Sequence, residues 1–332
     1  MNLIEAVDSY LILKRSLGSV FSAETRILRS FARTIGNIPL NSIGPTATHA
    51  FCRGAGPPTR WWERKHQTLR GFFAYLVSRG HIDVSPLPEP APRIPRLFEA
   101  YIYSRNELQR ILDATAILKN SRSPLQHTTF RTLLLTIYSV GLRASEGLRL
   151  RYCDIDLVDC VLTIWDTKFF KSRLVPFGTA LSVALGAYHR ARQQLPMPAG
   201  VRSAFFASHS GAAITLSRLE KVFARLRTHA GVQGLPGTRW QPRLHDMRHA
   251  FAVHRLVAWY REGADVQACL PLLSTYLGHV NPTGTQAYLT MTPELLAEAS
   301  KRFEQYAAVS QQEDHHACPA PDGTLRPSIL AR

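Results

Sequence analysis

Apolar and polar positions follow a helical period through the first 80 residues of the chain. Four helices are expected there, over residues 3–15, 22–35, 45–53 and 59–79. Thr59 is a suitable N-cap for the fourth helix, and Gly80 follows its last turn. The pattern therefore predicts a small all-helical domain over residues 1–85.

A proline-rich segment follows this domain. Five prolines fall within residues 85–97. Proline lacks a backbone N–H and disfavours a helical conformation in the residue before it, so the segment is expected to be extended. We therefore predict a linker over residues 86–103 that separates two folded domains.

The pattern changes twice in the second half of the chain. Helical periodicity begins near Ser104, and an apolar helix is predicted over residues 127–141. Residues 161–165 and 173–177 then show the period of two that is typical of a β-hairpin. Helical patterns return over residues 179–308, where loops rich in proline and glycine interrupt them.

Together these patterns predict a mainly α fold with a small β-sheet, of the α+β class. The second domain is expected to span residues 104–309. Residues 310–332 show little periodicity and contain three prolines, so we expect much of this tail to be disordered.

Charge and composition add a functional expectation. The 332 residues include 40 Lys and Arg against 24 Asp and Glu, which gives a net charge of +16. This excess indicates a polyanionic partner such as nucleic acid, with general surface basicity as the alternative. A hydrophobic fraction of 45% argues against global disorder. Five widely separated Cys and the lack of an apolar run of about 18 residues favour a cytoplasmic protein outside the membrane.

The polar faces of the predicted N-terminal helices are rich in arginine. Arginines three and four positions apart form one stripe on a helix, as expected for Arg26, Arg29 and Arg33. Such a stripe can follow the phosphates of a DNA backbone, or it can be an ordinary solvated face. The candidate DNA-binding residues of this domain are Arg26, Arg29, Arg33, Arg60, Arg64 and Arg70.

The second domain contains two pairs of residues that suit an anionic substrate. Arg143 lies between two predicted helices with Glu146 three residues later, so the pair is either a structural ion pair or part of an anion site. His245 and Arg248 are also three residues apart and share a helix face. A guanidinium matches two phosphate oxygens and an imidazole transfers protons near neutral pH, so this second pair suits a phosphodiester.

Two further clusters contain a tyrosine and a lysine. Tyr288 follows His279 by nine residues, across a turn that contains proline and glycine. Lys168 lies in the predicted hairpin turn, where Lys171 is a competing candidate for chemistry. Lys171 and Arg173 are also candidates for DNA contact. Taken alone, each of these residues has an ordinary structural explanation.

The order of these clusters along the chain is specific. The motifs are GLRASEGLRL, TKFFKSRLVPFG, LHDMRHAFAVH and YLGHVNPTGTQAYL, and they span about residues 104–308. In this order they resemble the tyrosine recombinase (phage integrase) family, including the Xer-type recombinases. The arginine-rich N-terminal domain looks like that family's core-binding domain.

The resemblance implies a role for the residues that would act on the DNA strand. Arg143 and Arg248 would clamp the scissile phosphate. Tyr288 would be the nucleophile, and Lys168 would be the general acid that protonates the leaving group. The product would be a 3′-phosphotyrosyl link between protein and DNA.

The resemblance also implies supporting roles. His245 and His279 would form hydrogen bonds to the phosphate and handle protons. Glu146 would orient Arg143, and His249 resembles a histidine that is common in the family and is interpreted as structural. No ATP is expected, because the phosphotyrosyl bond keeps the free energy of the phosphodiester. No metal ion or cofactor is expected either, since the sequence shows no clustered carboxylate motif suited to two-metal chemistry.

The implied function is site-specific DNA recombination by a mobile-element integrase or transposase. The alternatives are a non-catalytic DNA-binding accessory and an enzyme that relaxes supercoils by the same chemistry. The implied partner is double-stranded DNA, on which a homo- or hetero-tetramer assembles, the latter with other recombinases of the same element. A helix over residues 293–309 would dock onto a neighbour in that tetramer or pack in cis. The implied location is the bacterial cytoplasm, on the nucleoid.

Overall fold

A computed structural model describes residues 1–18, 21–54, 59–87, 100–165, 172–234, 240–279, 283–290, 293–301 and 304. Two compact units are distinguished, Met1–Glu99 with Ile164–Arg173, and Ala100–Thr163 with Leu174–Arg332. Helices dominate the described residues, and a small three-stranded sheet accompanies them. The predicted mainly α, α+β class is therefore confirmed.

The helices described in the first unit are α1 (Leu3–Ser16), α2 (Ser22–Ile35), α3 (Pro45–Arg53) and α4 (Arg60–Ser78). Each buries one apolar stripe, because residues three and four apart share a helix face. Phe31, Phe72 and Phe73 are fully buried where these stripes meet. The Thr59 hydroxyl caps α4 by accepting a hydrogen bond from the Trp62 backbone N–H at 3.2 Å. All four helices begin and end within one residue of the predicted bounds.

The linker predicted over residues 86–103 is too long at both ends. Leu87 is buried in the core of the first unit. Tyr103 is buried in the second unit, where its hydroxyl donates to the Arg243 carbonyl at 3.0 Å. Both ends are ordered because a large side chain at each end is buried in a hydrophobic core. The number of prolines does not predict such burial. Residues 88–99 lie outside the described residues.

The second unit begins with helices, continues into the sheet and returns to helices. Its first helices are α5 (Arg105–Ala114), α6 (Gln126–Ser139) and α7 (Ala144–Arg149). The strands are β1 (Ile155–Asp156), β2 (Val161–Ile164) and β3 (Arg173–Pro176), in the order β1–β2–β3 with β1 antiparallel to β2. The later helices are α8 (Thr179–Arg192), α9 (Leu216–His229), α10 (Asp246–Arg261), α11 (Val266–Leu277) and α12 (Thr283–Gln286). The strands β2 and β3 match the two predicted hairpin arms. No helix among the described residues is long and apolar enough to cross a membrane.

The last described segments pack onto α10 and α11. A 3₁₀ turn, Ala287–Thr290, follows α12, and residues 293–301 are helical. Leu295 is buried in the core that α10 and α11 form. Arg261 of α10 makes an ion pair with Glu294 at 2.7 Å. Residues 293–301 therefore contact α10 of the same chain, and docking of the predicted 293–309 helix onto a neighbour stays a prediction.

Candidate active site

Arg248 is a buried guanidinium held by main-chain oxygens. The residue is 1% exposed, in the first turn of α10. Its Nη1 donates to the Gly141 carbonyl at 2.8 Å, and its Nη2 donates to the Leu277 carbonyl at 2.6 Å. These carbonyls lie at the C-terminal ends of α6 and α11, where unpaired helix carbonyls carry partial negative charge. Two helix ends therefore stabilise the buried cation and fix its position.

Arg143 is the more accessible of the two site arginines. It occupies the N-cap position of α7, and its Nη1 lies 2.7 Å from Glu146 Oε1. Its Nη2 donates to the Gly278 carbonyl at 3.1 Å. Glu146 is buried, and its Oε2 also lies 3.9 Å from Arg248 Nη1. One carboxylate thus lies close to both guanidiniums, while the Arg143 side chain remains 36% exposed.

His245 and His249 lie at the start of α10, one helical turn apart. Their ring centroids are 4.9 Å apart with the rings nearly perpendicular. Partial burial, together with the nearby charges of Arg248, Arg243 and Arg143, lowers the pKa of His245 below 6.5. Burial, followed by the influence of His245, lowers the pKa of His249 to about 4. Both imidazoles are therefore neutral at pH 7.

His279 is positioned by the turn that ends α11. Gly278 adopts the left-handed conformation there, with φ of 67°. His279 Nδ1 lies 2.7 Å from the Thr285 hydroxyl oxygen. Its ring is nearly parallel to the Tyr288 ring, with the centroids 6.1 Å apart. The turn and the threonine thus hold this imidazole beside the tyrosine.

The Tyr288 hydroxyl lies among these groups. The residue is 3% exposed, and its hydroxyl oxygen is 3.3 Å from His249 Nδ1. Arg248 also forms a hydrogen bond to this hydroxyl. Burial raises the pKa of Tyr288, while the charge and hydrogen bond of Arg248 and the charge of Arg143 act in the opposite direction. The phenol is therefore protonated at neutral pH, next to two cations that would stabilise its anion.

The structure brings seven of the predicted site residues into one region of the second unit. They are Arg143, Glu146, His245, Arg248, His249, His279 and Tyr288. Arg173 begins β3 and is partly buried. Lys168 and Lys171 lie outside the described residues. The described residues contain no group of three His, Cys, Asp or Glu side chains that could hold a metal ion.

The predicted arginine stripe is exposed on α2 of the first unit. Arg26, Arg29 and Arg33 line a groove of about 800 Å³. Trp61 of α4 lines the same groove and is half-exposed. The three exposed guanidiniums give this groove a concentration of positive charge, as the predicted contact with a phosphate backbone requires.

The other predicted arginines of the first unit lie on α4. Arg60 and Arg70 are exposed. Arg64 makes an ion pair with Glu24 at 2.8 Å. Because this pair is on the surface, it contributes little stability and leaves Arg64 able to exchange partners.

The groups that hold the charged side chains in place are not apparent from the sequence. They are the carbonyls of Gly141, Leu277 and Gly278 and the hydroxyl of Thr285. Every residue has a backbone carbonyl, so the residue type does not indicate which carbonyl accepts a hydrogen bond from a side chain of the site. Gly141 and Gly278 do offer a signal, because a glycine that follows a helical pattern predicts a left-handed turn whose carbonyls face away from the helix.

Comparison with known proteins relates this site to one family. Residues 103–294 match the phage integrase family. The candidate integrase/recombinase y4rE of Sinorhizobium fredii is 36% identical over 300 residues, which cover 90% of this chain and 94% of that protein. Tyrosine recombinase XerD of Listeria innocua is 27% identical over 261 residues, 76% of this chain and 79% of that protein.

A solved structure shows the same fold. It is the Tn1549 transposon integrase in complex with transposon right end DNA, with a TM-score of 0.66. The sequence identity is 16%, and the match covers 92% of this chain and 100% of that chain. The similarity therefore extends through both units.

Proposed function

The chain belongs to the phage integrase family of site-specific tyrosine recombinases, and we propose that Tyr288 is the nucleophile with which it breaks a DNA strand. The observation that carries the proposal is the environment of the Tyr288 hydroxyl, which contacts Arg248 and His249. A phenol has a pKa of about 10 in water, so attack at neutral pH requires neighbours that stabilise the phenolate. The cationic side chains of Arg248 and Arg143 supply that stabilisation.

The two guanidiniums suit the scissile phosphate. Arg248 is fixed by two carbonyls, so it can bind an anion without first being ordered. Arg143 is partly exposed and is oriented by Glu146. When the phenol attacks phosphorus, negative charge develops on the phosphoryl oxygens. Stabilisation of this charge by preorganised cations usually makes the largest contribution to the rate enhancement.

The proposed step conserves atoms and charge. The Tyr288 oxygen gives up its phenolic proton to a base in the site and forms a bond to phosphorus, and the bond from phosphorus to the 5′ oxygen breaks. The 5′ oxygen leaves as a hydroxyl after accepting a proton, which we assign to Lys168, with Lys171 as the competing donor. This assignment rests on the order of motifs in the family. Rejoining reverses the step with another 5′-hydroxyl, so no ATP is needed, and the two arginines supply the charge stabilisation for which other enzymes use a metal ion.

The remaining imidazoles support the phosphate in this scheme. We assign to His245 and His279 hydrogen bonds to the non-bridging oxygens. Because the pKa of His245 is lowered, this group donates as a neutral imidazole. The contact between His279 and Thr285 fixes the orientation of the second ring.

Double-stranded DNA is the proposed partner, bound as a homo- or hetero-tetramer at paired sites. The net charge of +16 and the exposed arginines of α2 support DNA binding. Strand exchange joins two duplexes, so four active sites are needed to cut four strands. We assign the chain to the bacterial cytoplasm, where it would act on the nucleoid.

The test is covalent trapping on a cognate site. In a duplex nicked close to the attack position, the short 5′-hydroxyl fragment diffuses away and the phosphotyrosyl protein accumulates. The chain should form this adduct, and Tyr288→Phe should not. Tyr188→Phe is the matched control, because Tyr188 is also buried in the second unit and also loses hydroxyl hydrogen bonds, to Thr129 and Phe205.

Three outcomes separate the candidate functions. An adduct in Tyr288→Phe refutes the nucleophile. DNA binding without an adduct in the wild-type chain indicates the accessory role. Plasmid relaxation without recombinant products, on DNA that lacks a specific site, indicates the supercoil-relaxing alternative.

A further inference from the structure

The contact between Tyr288 and His249 places a second functional group at the reacting oxygen. His249 Nδ1 lies 3.3 Å from the Tyr288 hydroxyl, which is within hydrogen-bonding distance. His279, the imidazole that stacks beside Tyr288, directs its Nδ1 to the Thr285 hydroxyl at 2.7 Å. His245 packs edge-on against His249. His249, which was interpreted from the sequence as structural, therefore brings an imidazole nitrogen to the phenol.

We propose that His249 is a catalytic residue that accepts the phenolic proton of Tyr288 during strand cleavage, an inference that rests on the proposed function of Tyr288. In this step the O–H bond of Tyr288 breaks as its oxygen bonds to phosphorus, and the proton moves to His249 Nδ1. The 5′ oxygen leaves with a proton from the general acid. When the strand is rejoined, the proton on Nδ1 returns to the phenol.

The position of His249 on α10 explains why it can act with Arg248. Consecutive helical residues point about 100° apart, so these two side chains diverge from adjacent positions. The Arg248 guanidinium reaches the ends of α6 and α11, and His249 reaches the turn that carries Tyr288. The hydroxyl therefore lies between the Arg248 guanidinium, which donates, and His249 Nδ1, which accepts in the tautomer protonated at Nε2. Arg248 stabilises the oxygen anion that forms, and His249 receives the proton that leaves.

The charges around His249 keep it ready to accept. His245, Arg243 and Arg248 disfavour its protonation, while Asp246 favours it. Burial is the main cause, and together with His245, Arg243 and Arg248 it outweighs Asp246 and lowers the pKa of His249 to about 4, so the ring is neutral at pH 7 without DNA. A phosphodiester bound by the two arginines adds a negative charge, which raises the basicity of the ring. His249 therefore becomes a stronger base when the substrate is in place.

Replacement by asparagine separates proton acceptance from positioning. An asparagine amide lies close to the position of imidazole Nδ1, so it can hydrogen bond to the Tyr288 hydroxyl but does not take a proton at neutral pH. We expect His249→Asn to bind the nicked duplex within about threefold of the wild-type chain and to form adduct about 10²-fold more slowly or worse. The acidic limb of the wild-type cleavage rate, measured in single turnover, should be absent in the variant.

The matched control is His254→Asn. His254 is on the same helix, and its Nδ1 also lies close to a tyrosine hydroxyl, that of Tyr138, at 2.9 Å. We expect this variant to form adduct within about threefold of wild type. A second variant, His249→Ala, should regain cleavage with added imidazole, at a rate that follows the fraction of neutral imidazole.

Each result decides the inference. Cleavage by His249→Asn within threefold of wild type, or equal losses in His249→Asn and His254→Asn, would overturn it. The same holds if His249→Ala binds DNA and imidazole gives no rescue. These results differ from failure of the proposed function, in which the wild-type chain itself forms no adduct or Tyr288→Phe still forms one.

Discussion

Substitution of Gly141 is expected to disturb the candidate active site, although this residue has no side chain that could take part in the reaction. It follows α6 with φ of 62°, and its carbonyl accepts the hydrogen bond from Arg248 Nη1 at 2.8 Å. A Cβ at this position would lie 2.5 Å from Phe251 Cδ1 and 2.7 Å from Leu277 Cδ2. Both distances are far below van der Waals contact. Gly141→Ala should therefore push apart the elements that hold Arg248.

Two effects set the size of the change. An alanine in the left-handed conformation costs roughly 1–2 kcal/mol. Overpacking a well-packed core costs a further 1–3 kcal/mol or so. We therefore expect Gly141→Ala to lower the free energy of unfolding by about 2–5 kcal/mol, the smaller loss applying if Phe251 and Leu277 can move aside.

Gly263 provides the matched control. It lies in the same unit, after α10, with φ of 72°, and a Cβ there would meet no atom within 4 Å. Gly263→Ala should therefore show the backbone effect alone, about 1–2 kcal/mol. The difference between the two variants measures the crowding at Gly141.

Urea unfolding of both variants gives the free energies, and adduct formation on the nicked duplex gives the activity. At a temperature where both variants are folded, Gly141→Ala should cleave much more slowly than Gly263→Ala, since the former displaces the carbonyl that positions Arg248. Equal destabilisation of the two would refute the steric argument. Full cleavage by a destabilised Gly141→Ala would show that the Arg248 contact does not matter for catalysis.

Three further predictions concern the charged groups. Glu146→Ala removes a buried carboxylate that contacts Arg143, so it should lower the free energy of unfolding by about 1–3 kcal/mol. Glu24→Ala, which removes the surface ion pair with Arg64, should lower it by less than about 1 kcal/mol. Because the folded-state pKa of His249 is lowered to about 4, the unfolded chain takes up a proton first as the pH falls below 6.5. The free energy of unfolding should therefore fall between pH 6.5 and about 4. Measured by urea unfolding across this range, the fall should exceed that in His249→Asn by at most roughly 3 kcal/mol. If Arg29 contacts one phosphate, Arg29→Ala should reduce the slope of log DNA affinity against log salt concentration by about 0.9 in a filter-binding titration. An unchanged slope would show that Arg29 is not part of the DNA-binding surface.

The sequence predicts the helices of the first unit well because their signals are local. The helical period, the Thr59 cap and the glycine after α4 are read from neighbouring positions. The linker is less well predicted, since Leu87 and Tyr103 are ordered by contacts with distant residues. The two-residue strand β1 was not predicted either, because a segment this short has no measurable period.

The residues of the candidate site could be named from the sequence, but their contacts could not. The motif order identifies Arg248 and Tyr288, which are 40 positions apart. It does not show that the Gly141 and Leu277 carbonyls hold the guanidinium, or that His249 contacts the phenol. These contacts depend on how α6, α10 and α11 meet, which no local pattern encodes.

The way in which Arg248 is held has a consequence for anion binding. A carboxylate at hydrogen-bonding distance would neutralise a buried guanidinium, whereas carbonyls at 2.6 and 2.8 Å stabilise it and leave its charge in place. Glu146 lies closer to Arg143 than to Arg248, at 2.7 Å against 3.9 Å. The two arginines and this carboxylate together carry one net positive charge, which equals in size the single negative charge of a phosphodiester. The site is therefore stable without DNA, and it gains electrostatic stabilisation when the phosphate enters and again when negative charge develops during attack.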